Sequence, residues 1–343
     1  MSPTGEPGQT EAQALIGAGR RLRRSSVVVS PLAFGGAAIG GLYEAVSEEQ
    51  AQSTVSRALE VGLRYLDTAP HYGLGLSERR LGRALRGRPR DSYVLSTKVG
   101  RRLEPLGPGE TVSPEGFATS APLKRVWDFS RDGILRSMQE SLERLGVDRI
   151  DILYLHDPDA FEPDVYATAY PALAELRAAG VVGAIGVGMN QAEMLTRLVC
   201  RLDLDLVLVA GRYTLLEQSA LDELLPACLE RGVGVIAAAP FHGGVLAGPE
   251  PGALYNYRPA PPGLVRRATR MQAVCARHGV PLTAAALQFA LGHPAVISVL
   301  VGARSVQEVD ENARAFTTAI PPDAWDELKA ERLLGAELPV PRP

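Results

Sequence analysis

Four side chains of complementary chemistry, Asp67, Tyr72, Lys98 and His156, stand at or just beyond the ends of apolar, β-branched runs. Together they suit proton transfer to or from a carbonyl oxygen. A free tyrosine ionises near pH ~10, too high to exchange protons readily at neutrality. A neighbouring ammonium stabilises the phenolate, and a carboxylate keeps that ammonium charged and fixed. Lys98 is therefore expected to tune Tyr72, and Asp67 to hold Lys98. His156 would donate a hydrogen bond that orients the reacting oxygen. Singly, each has a plainer explanation as a structural ion pair, a core aromatic or a strand cap. Four compatible groups on adjacent strand ends favour the chemical one. Lysine is also rare here: Lys98, Lys124 and Lys329 are the only three among 36 Lys and Arg residues.

Such groups need a scaffold that brings strand ends to one rim. Eight strand-like runs fall at Pro31–Gly36, Arg64–Ala69, Tyr93–Val99, Arg149–His156, Val182–Gly188, Leu204–Gly211, Gly234–Pro240 and Val296–Gly302. Helical patterns alternate with them. The first, Ser47–Val61, has Ser47 three residues before Gln50, a capping-box spacing. Others are Ser77–Leu85, Arg131–Leu145, Ala169–Ala179, Gln191–Arg201 and Glu217–Arg231, with two more inside Pro262–Gly292. Strands as apolar as Leu206-Val-Leu-Val-Ala210 suit a parallel sheet buried on both faces. The pattern predicts an α/β (β/α)8 TIM barrel, whose reactive groups sit at the carboxyl-terminal rim. A doubly wound open sheet is the alternative. Arg20–Val29 reads as a hairpin preceding the barrel. Arg101–Ser130 and His242–Pro262, rich in Gly and Pro, are long rim inserts expected to be functional or mobile. Residues 1–17 read as a flexible tail and 18–343 as a single barrel domain.

Composition narrows the classes further. The 343 residues are 46% hydrophobic and 22% charged, enough for a large core and too apolar for wholesale disorder. A net charge of −3 leaves no basic footprint for nucleic acid. No run of 18 apolar residues exists to span a membrane. Cys200, Cys228 and Cys275 are far apart and match neither a disulfide framework nor a zinc spacing. Arg20-Arg21-Leu22-Arg23-Arg24 superficially suggests an export signal, but no A-x-A site follows, so a cytoplasmic protein is expected. Gly186-Val-Gly-Met-Asn-Gln191 lacks the third glycine of a dinucleotide fingerprint. Five histidines without a His-x-His or HExxH pair argue against a metal hydrolase built on His71, His156, Asp157 and Asp159. Asp157 and Asp159, either side of Pro158, are expected to shape the loop after the fourth strand.

The chain resembles the aldo/keto reductases, a barrel family that uses nicotinamide dinucleotides. Asp67-Thr-Ala, Tyr72-Gly, Ser96-Thr-Lys98 and Leu155-His156 match the family's Asp–Tyr–Lys–His tetrad in order. Arg21-Leu22 through Ser30-Pro-Leu32 and Phe34-Gly-Gly36 resemble its amino-terminal hairpin and first strand, and Gly302-Ala-Arg-Ser305 with Glu311-Asn312 its adenosine-phosphate segment. Within the family, Ala69-Pro-His-Tyr-Gly-Leu-Gly-Leu-Ser-Glu-Arg79, Trp127-Asp-Phe-Ser130, Leu155-His-Asp-Pro-Asp159 and Ala210-Gly-Arg-Tyr-Thr-Leu-Leu216 resemble the D-threo-aldose 1-dehydrogenase branch. That branch includes enzymes named for L-fucose or D-arabinose, and pyridoxal and L-galactose dehydrogenases are relatives. The resemblance implies oxidation of a sugar hemiacetal to a lactone, with Tyr72 removing the anomeric hydroxyl proton. The alternatives are an NADPH-dependent aldehyde or ketone reductase of secondary metabolism and a cofactor-bound regulatory subunit with slow turnover. A small-molecule aldose, aldehyde or ketone is the expected partner, without nucleic acid or membrane, for a monomer or weak homo-oligomer.

The family comparison also implies where cofactor contacts fall. Gly36, Asn190 and Tyr213 are expected beside the nicotinamide, although a Gln common three residues before Tyr213 is Ala210 here. The aromatic that often stacks on the ring after the seventh strand is Ala238. Phe241-His242-Gly243-Gly244 is a small-residue loop able to bring N–H groups to a pyrophosphate, or else an ordinary glycine turn. Gly302, Ala303, Arg304 and Ser305 are assigned to the adenosine phosphate, with Glu311 and Asn312 meeting the adenine. Arg304 suits the 2′-phosphate of NADP. Glu308 would repel it and suit the ribose hydroxyls of NAD. Arg304 tips the expectation toward NADP. Trp127 and Phe129 are assigned to the substrate wall, or else to anchoring their loop, with Tyr255 and Tyr257 in the second insert as further candidates.

Overall fold

The computed structural model describes residues 7–256 and 258–342. Eight parallel strands form a closed barrel: Leu32–Gly35 (β1), Tyr65–Asp67 (β2), Val94–Val99 (β3), Ile152–His156 (β4), Ala184–Met189 (β5), Leu206–Ala210 (β6), Gly234–Ala238 (β7) and Val296–Gly302 (β8). Each pairs with its neighbour in sequence, and β8 returns to β1 through Val299↔Leu32 to Gly302↔Gly35. Seven lie inside the runs read from sequence, and β5 extends one residue beyond its run, to Met189.

Side-chain alternation along each strand sorts residues between two layers. Ala33, Tyr65, Ile152, Tyr154, Leu206, Leu208, Ile236 and Leu300 fill the barrel interior. Leu32, Phe34, Leu66, Leu95, Leu153, Leu155, Val207, Val209 and Val235 point outward and pack with the helices. Gly186 belongs to the inner set for steric reasons: a Cβ there would meet the Leu206 carbonyl at 2.3 Å and the Tyr154 ring at 3.0 Å. The helices are amphipathic in register with the outer set. In Ala192–Arg201, for example, Met194, Leu195, Leu198 and Val199 are buried. Ser47 caps Glu48–Glu60 by accepting from the Gln50 N–H at 3.1 Å. The Gln50 side chain does not close the capping box; it donates to the Arg304 carbonyl at 2.9 Å, linking the helix to the loop after β8.

The expected hairpin is present, with Arg20–Arg21 antiparallel to Val28–Val29. Leu22 and Val29 join the interior cluster and close the amino-terminal end of the barrel. The cleft therefore opens only at the carboxyl ends of the strands.

One reading needs correction. Residues 7–17 of the supposed flexible tail form a helix, Pro7–Gly17, whose Ile16 is buried. Gln13 ties it to the Glu60 carbonyl at 3.1 Å. One apolar anchor in a polar, Gly/Pro-containing stretch was enough to dock it; residues 1–6 lie outside the described residues. The first long insert, expected to be functional or mobile, has an ordered base. Its two ends, Arg101–Pro105 and Leu123–Trp127, pair antiparallel across five positions, leaving the Gly/Pro-rich stretch between them as the connection. In the second insert, Leu254–Tyr255 pairs with Arg258–Pro259. Among the described residues, no helix is long and apolar enough to cross a membrane.

Candidate active site

The alternation that fills the barrel also sets its top layer. The last inward position on β1 through β8 is, in order, Gly35, Asp67, Lys98, His156, Gly188, Ala210, Ala238 and Gly302, and all eight line one cavity of about 390 Å³. Three adjacent strands supply ionisable groups. The other five supply hydrogen or a methyl group.

On the polar side, Lys98 is buried and donates to Asp67 Oδ2 at 2.6 Å and to the Thr68 carbonyl at 3.0 Å. It also hydrogen-bonds Tyr72. Asp67 Oδ1 accepts from Ser96 Oγ at 2.7 Å, so both carboxylate oxygens are committed. Burial works against the Lys98 ammonium, but the charges of Asp67 and Tyr72 outweigh it and hold the group above its ordinary range. His156 is driven the other way, by burial first and then by Arg101 and Lys98, well below its ordinary range. It is a neutral imidazole with one N–H to give.

Tyr72 arrives from a tight turn beyond β2. Its N–H donates to the Ala69 carbonyl at 3.1 Å, and Gly73 follows at φ 63°. A Cβ on Gly73 would sit 2.2 Å from the Gly40 carbonyl, so only glycine lets this turn close against the loop after β1. The Tyr72 ring stacks on Phe117 (5.9 Å, 26°) and meets His156 edge-on at 5.8 Å.

Beyond the small-residue side runs a trough of about 740 Å³, which shares Ala38, Leu42, Ala239 and Gly302 with the first cavity. Phe241, His242, Gly243 and Gly244 form one wall; Gly302, Arg304, Glu308, Glu311 and Asn312 form the other. His242 stacks flat on Tyr255 (4.3 Å, 4°), its Nδ1 meets Thr214 Oγ1 at 3.1 Å, and its Nε2 is buried without a partner. Burial, then the Arg212 charge, lowers its pKa to about 4. These residues fit a nicotinamide dinucleotide. The floor is bare enough for a flat ring, the wall holds an imidazole nitrogen without a partner, and Arg304 and Arg314 line the far end. Among the described residues, no group of three or more His, Cys, Asp or Glu is disposed to hold a metal ion.

The cleft thus gathers Asp67, Tyr72, Lys98, His156 and Asn190 in the reaction pocket, and nine of the expected cofactor residues in the trough. Six other residues lie elsewhere. Gly36 faces outward, where a Cβ would meet Ser77 Oγ at 2.6 Å; its predecessor Gly35 holds the inward position. Tyr213 is buried in the helix layer against Phe289 (5.3 Å) and His293. Ala303 is buried in that layer too, and Ser305 caps Val306–Thr317 by accepting from the Glu308 N–H. Phe129 is buried against Phe161 and Trp127, anchoring the insert instead of facing substrate. Trp127 is half exposed and backs Arg101, whose guanidinium lies 4.2 Å from its ring.

The pocket wall is instead made by Phe117, His71, Arg101 and Asp157. Sequence reasoning left Phe117 and Arg101 unassigned and gave Asp157 a loop-shaping role. The one signal for the first two was their position in a long insert directly after Lys98. Asp159 does shape its loop, accepting from Gln191. Tyr257 lies outside the described residues.

An acid/base group facing a bare cradle at the rim of a parallel barrel defines an oxidoreductase that interconverts alcohol and carbonyl carbons. The aldo/keto reductase family profile matches residues 31–332, and the chain belongs to that family. It is 46% identical over 316 residues to the D-threo-aldose 1-dehydrogenase of a Pseudomonas species, covering 90% of this chain and 96% of the relative. It is 37% identical to the pyridoxal 4-dehydrogenase of Microbacterium luteolum, covering 92% and 97%. Among solved structures, an aldo-keto reductase from Bacillus halodurans in its holo form aligns with TM-score 0.72 at 29% identity, over 93% of this chain and 97% of that one. The protein is an NAD(P)-dependent oxidoreductase of this type.

Proposed function

We propose that the protein oxidises an aldose at C1, turning the cyclic hemiacetal into a lactone, with Tyr72 as general base. The observation that carries this is the Tyr72–Lys98–Asp67 relay, its ion pair buried, opening onto a floor of small residues. The aldose itself is suggested by the Pseudomonas relative. Tyr72 takes the proton of the anomeric hydroxyl. Lys98 favours the ionised phenol, since the interaction that raises Lys98 stabilises the phenolate equally. Asp67 keeps Lys98 charged in a site where an unpaired ammonium would be costly. Neutral His156 donates its N–H to the same oxygen and orients C1. A bound nicotinamide would supply the hydride acceptor for C1.

Asn190, Phe241 to Gly244, Gly302, Arg304, Glu308, Glu311 and Asn312 are the residues we assign to holding the cofactor. Arg304 is already engaged: Glu44 and Glu308 both pair with its guanidinium. A 2′-phosphate would meet two carboxylates there, which favours NAD over the NADP toward which Arg304, weighed against Glu308, tipped the sequence reading.

Absorbance of reduced nicotinamide tests both points, with L-fucose, D-arabinose, L-galactose and pyridoxal offered against NAD and NADP. Oxidation of the sugars, with NAD at least as effective as NADP, is expected. Turnover of aldehydes alone, in the reductive direction, would overturn the aldose reading.

A further inference from the structure

Beyond the quartet, the reaction pocket contains a second polar pair that the chemistry above does not use. Asp157 directly follows His156, and strand alternation would send it outward. Its backbone turns instead to φ 41°, held by an N–H bond to the Gly188 carbonyl at 2.9 Å, and the residue lines the pocket. A positive φ at a residue other than glycine is unfavourable, and such strain concentrates where function requires it. The carboxylate is 17% exposed. One of its oxygens, Oδ2, accepts from Arg101 Nη2 at 2.5 Å; the other has no described hydrogen bond. Arg101 is immobilised in turn by its stacking on Trp127.

The position of this pair has a chemical consequence. Asp157 Oδ2 lies 3.8 Å from His156 Nε2, the group that addresses the reacting oxygen. A simple aldehyde has no hydroxyl to offer there, whereas an aldose ring presents one on each carbon after C1.

We propose that Asp157, held by Arg101, accepts a hydrogen bond from a ring hydroxyl next to the anomeric carbon and so selects polyhydroxylated substrates. This rests on the aldose reading. A carboxylate that accepts from a substrate hydroxyl discriminates against the deoxy analogue, because the analogue leaves the charge desolvated and unpaired. A merely structural Arg101–Asp157 pair, tying the first insert to β4, would show no such discrimination.

The environment of Asp157 adds a pH signature. Burial, with Asp159, raises its carboxyl to about 6 against the opposing charges of Arg101 and Lys98. The neighbouring His156 and His71 are both pushed below their ordinary range, so they stay neutral there. As pH falls through about 6, Asp157 takes up a proton and loses acceptor capacity, so KM for the sugar rises while kcat follows Tyr72.

The experiment compares an oxidised aldose with its 2-deoxy and 3-deoxy analogues, using wild type, Asp157→Asn and Arg101→Gln. Asn tolerates the left-handed backbone, so Asp157→Asn is the mildest probe. Quenching on NADH binding checks that each variant is folded. Wild type should prefer the parent sugar over one analogue by about ten-fold or more in kcat/KM. Asp157→Asn should collapse that preference to near unity and abolish the rise in KM below pH 6. Arg101→Gln should weaken it. Wild-type turnover of aldoses with discrimination intact in Asp157→Asn would overturn this inference alone. Failure of the wild type to oxidise any aldose would overturn the functional reading and this inference with it.

Discussion

The rim of the barrel is divided between two unlike halves. On β2, β3 and β4 the inward residues are Asp67, Lys98 and His156; on β5 through β8 and β1 they are Gly188, Ala210, Ala238, Gly302 and Gly35. In both halves strand alternation turns the last inward residue toward the same cavity. What differs is volume and charge. The polar half costs stability, because buried ions are desolvated, and it survives by pairing its ions: Lys98 with Asp67, Asp67 with Ser96. The bare half costs stability differently, by leaving a cavity at the mouth of a close-packed core. Neither half makes sense as a means of holding the barrel together. Side by side they make a proton relay facing an empty shelf.

Damage to the two halves should therefore separate cleanly. The largest effect belongs to Tyr72→Phe, which removes one oxygen from the polar half. Turnover should fall by roughly 10²–10⁴-fold, with NADH affinity and the thermal unfolding midpoint close to wild type; steady-state kinetics and fluorescence quenching report both. Retained turnover would take Tyr72 out of the acid/base role. On the bare half, Ala238→Leu fills the shelf. NAD affinity should drop about ten-fold or more, measured by calorimetry or quenching, and a Kd equal to wild type would mean that the ring does not lie there. The smallest effect is at the far end of the trough. Glu44→Gln with Glu308→Gln frees Arg304, and the NADP/NAD ratio of kcat/KM should rise by roughly three- to ten-fold. An unchanged ratio would show that these carboxylates do not bear on cofactor choice.

The two halves were also unequally legible. Asp67, Lys98 and His156 could be read from sequence because they end apolar runs, and a barrel strand has only one rim to end at. The eight strands were found for the same reason: buried parallel strands are apolar on both faces. The bare half was visible only as departures, Ala210 and Ala238 where other side chains were expected, and their joint meaning needed the closed ring. Parity errors account for Gly36, one residue from the inward position that Gly35 occupies. Tyr213 was misread because a loop after a strand carries no alternation to say which way a side chain turns; it faces Phe289. Phe117 and Arg101 are brought to the pocket by the pairing of Arg101–Pro105 with Leu123–Trp127, a long-range register that Gly/Pro-rich composition concealed. The helix Pro7–Gly17 was hidden similarly, since its docking depends on Ile16 finding a partner surface elsewhere in the chain.

The central claim is that Lys98, held by Asp67, sets the ionisation of Tyr72. Its most direct test is an ultraviolet difference titration of tyrosine ionisation in wild type, Tyr72→Phe and Lys98→Met. The account predicts one tyrosine in the wild type that ionises below the ordinary value of ~10, is missing in Tyr72→Phe and moves upward in Lys98→Met. Superimposable titrations of wild type and Lys98→Met would contradict it.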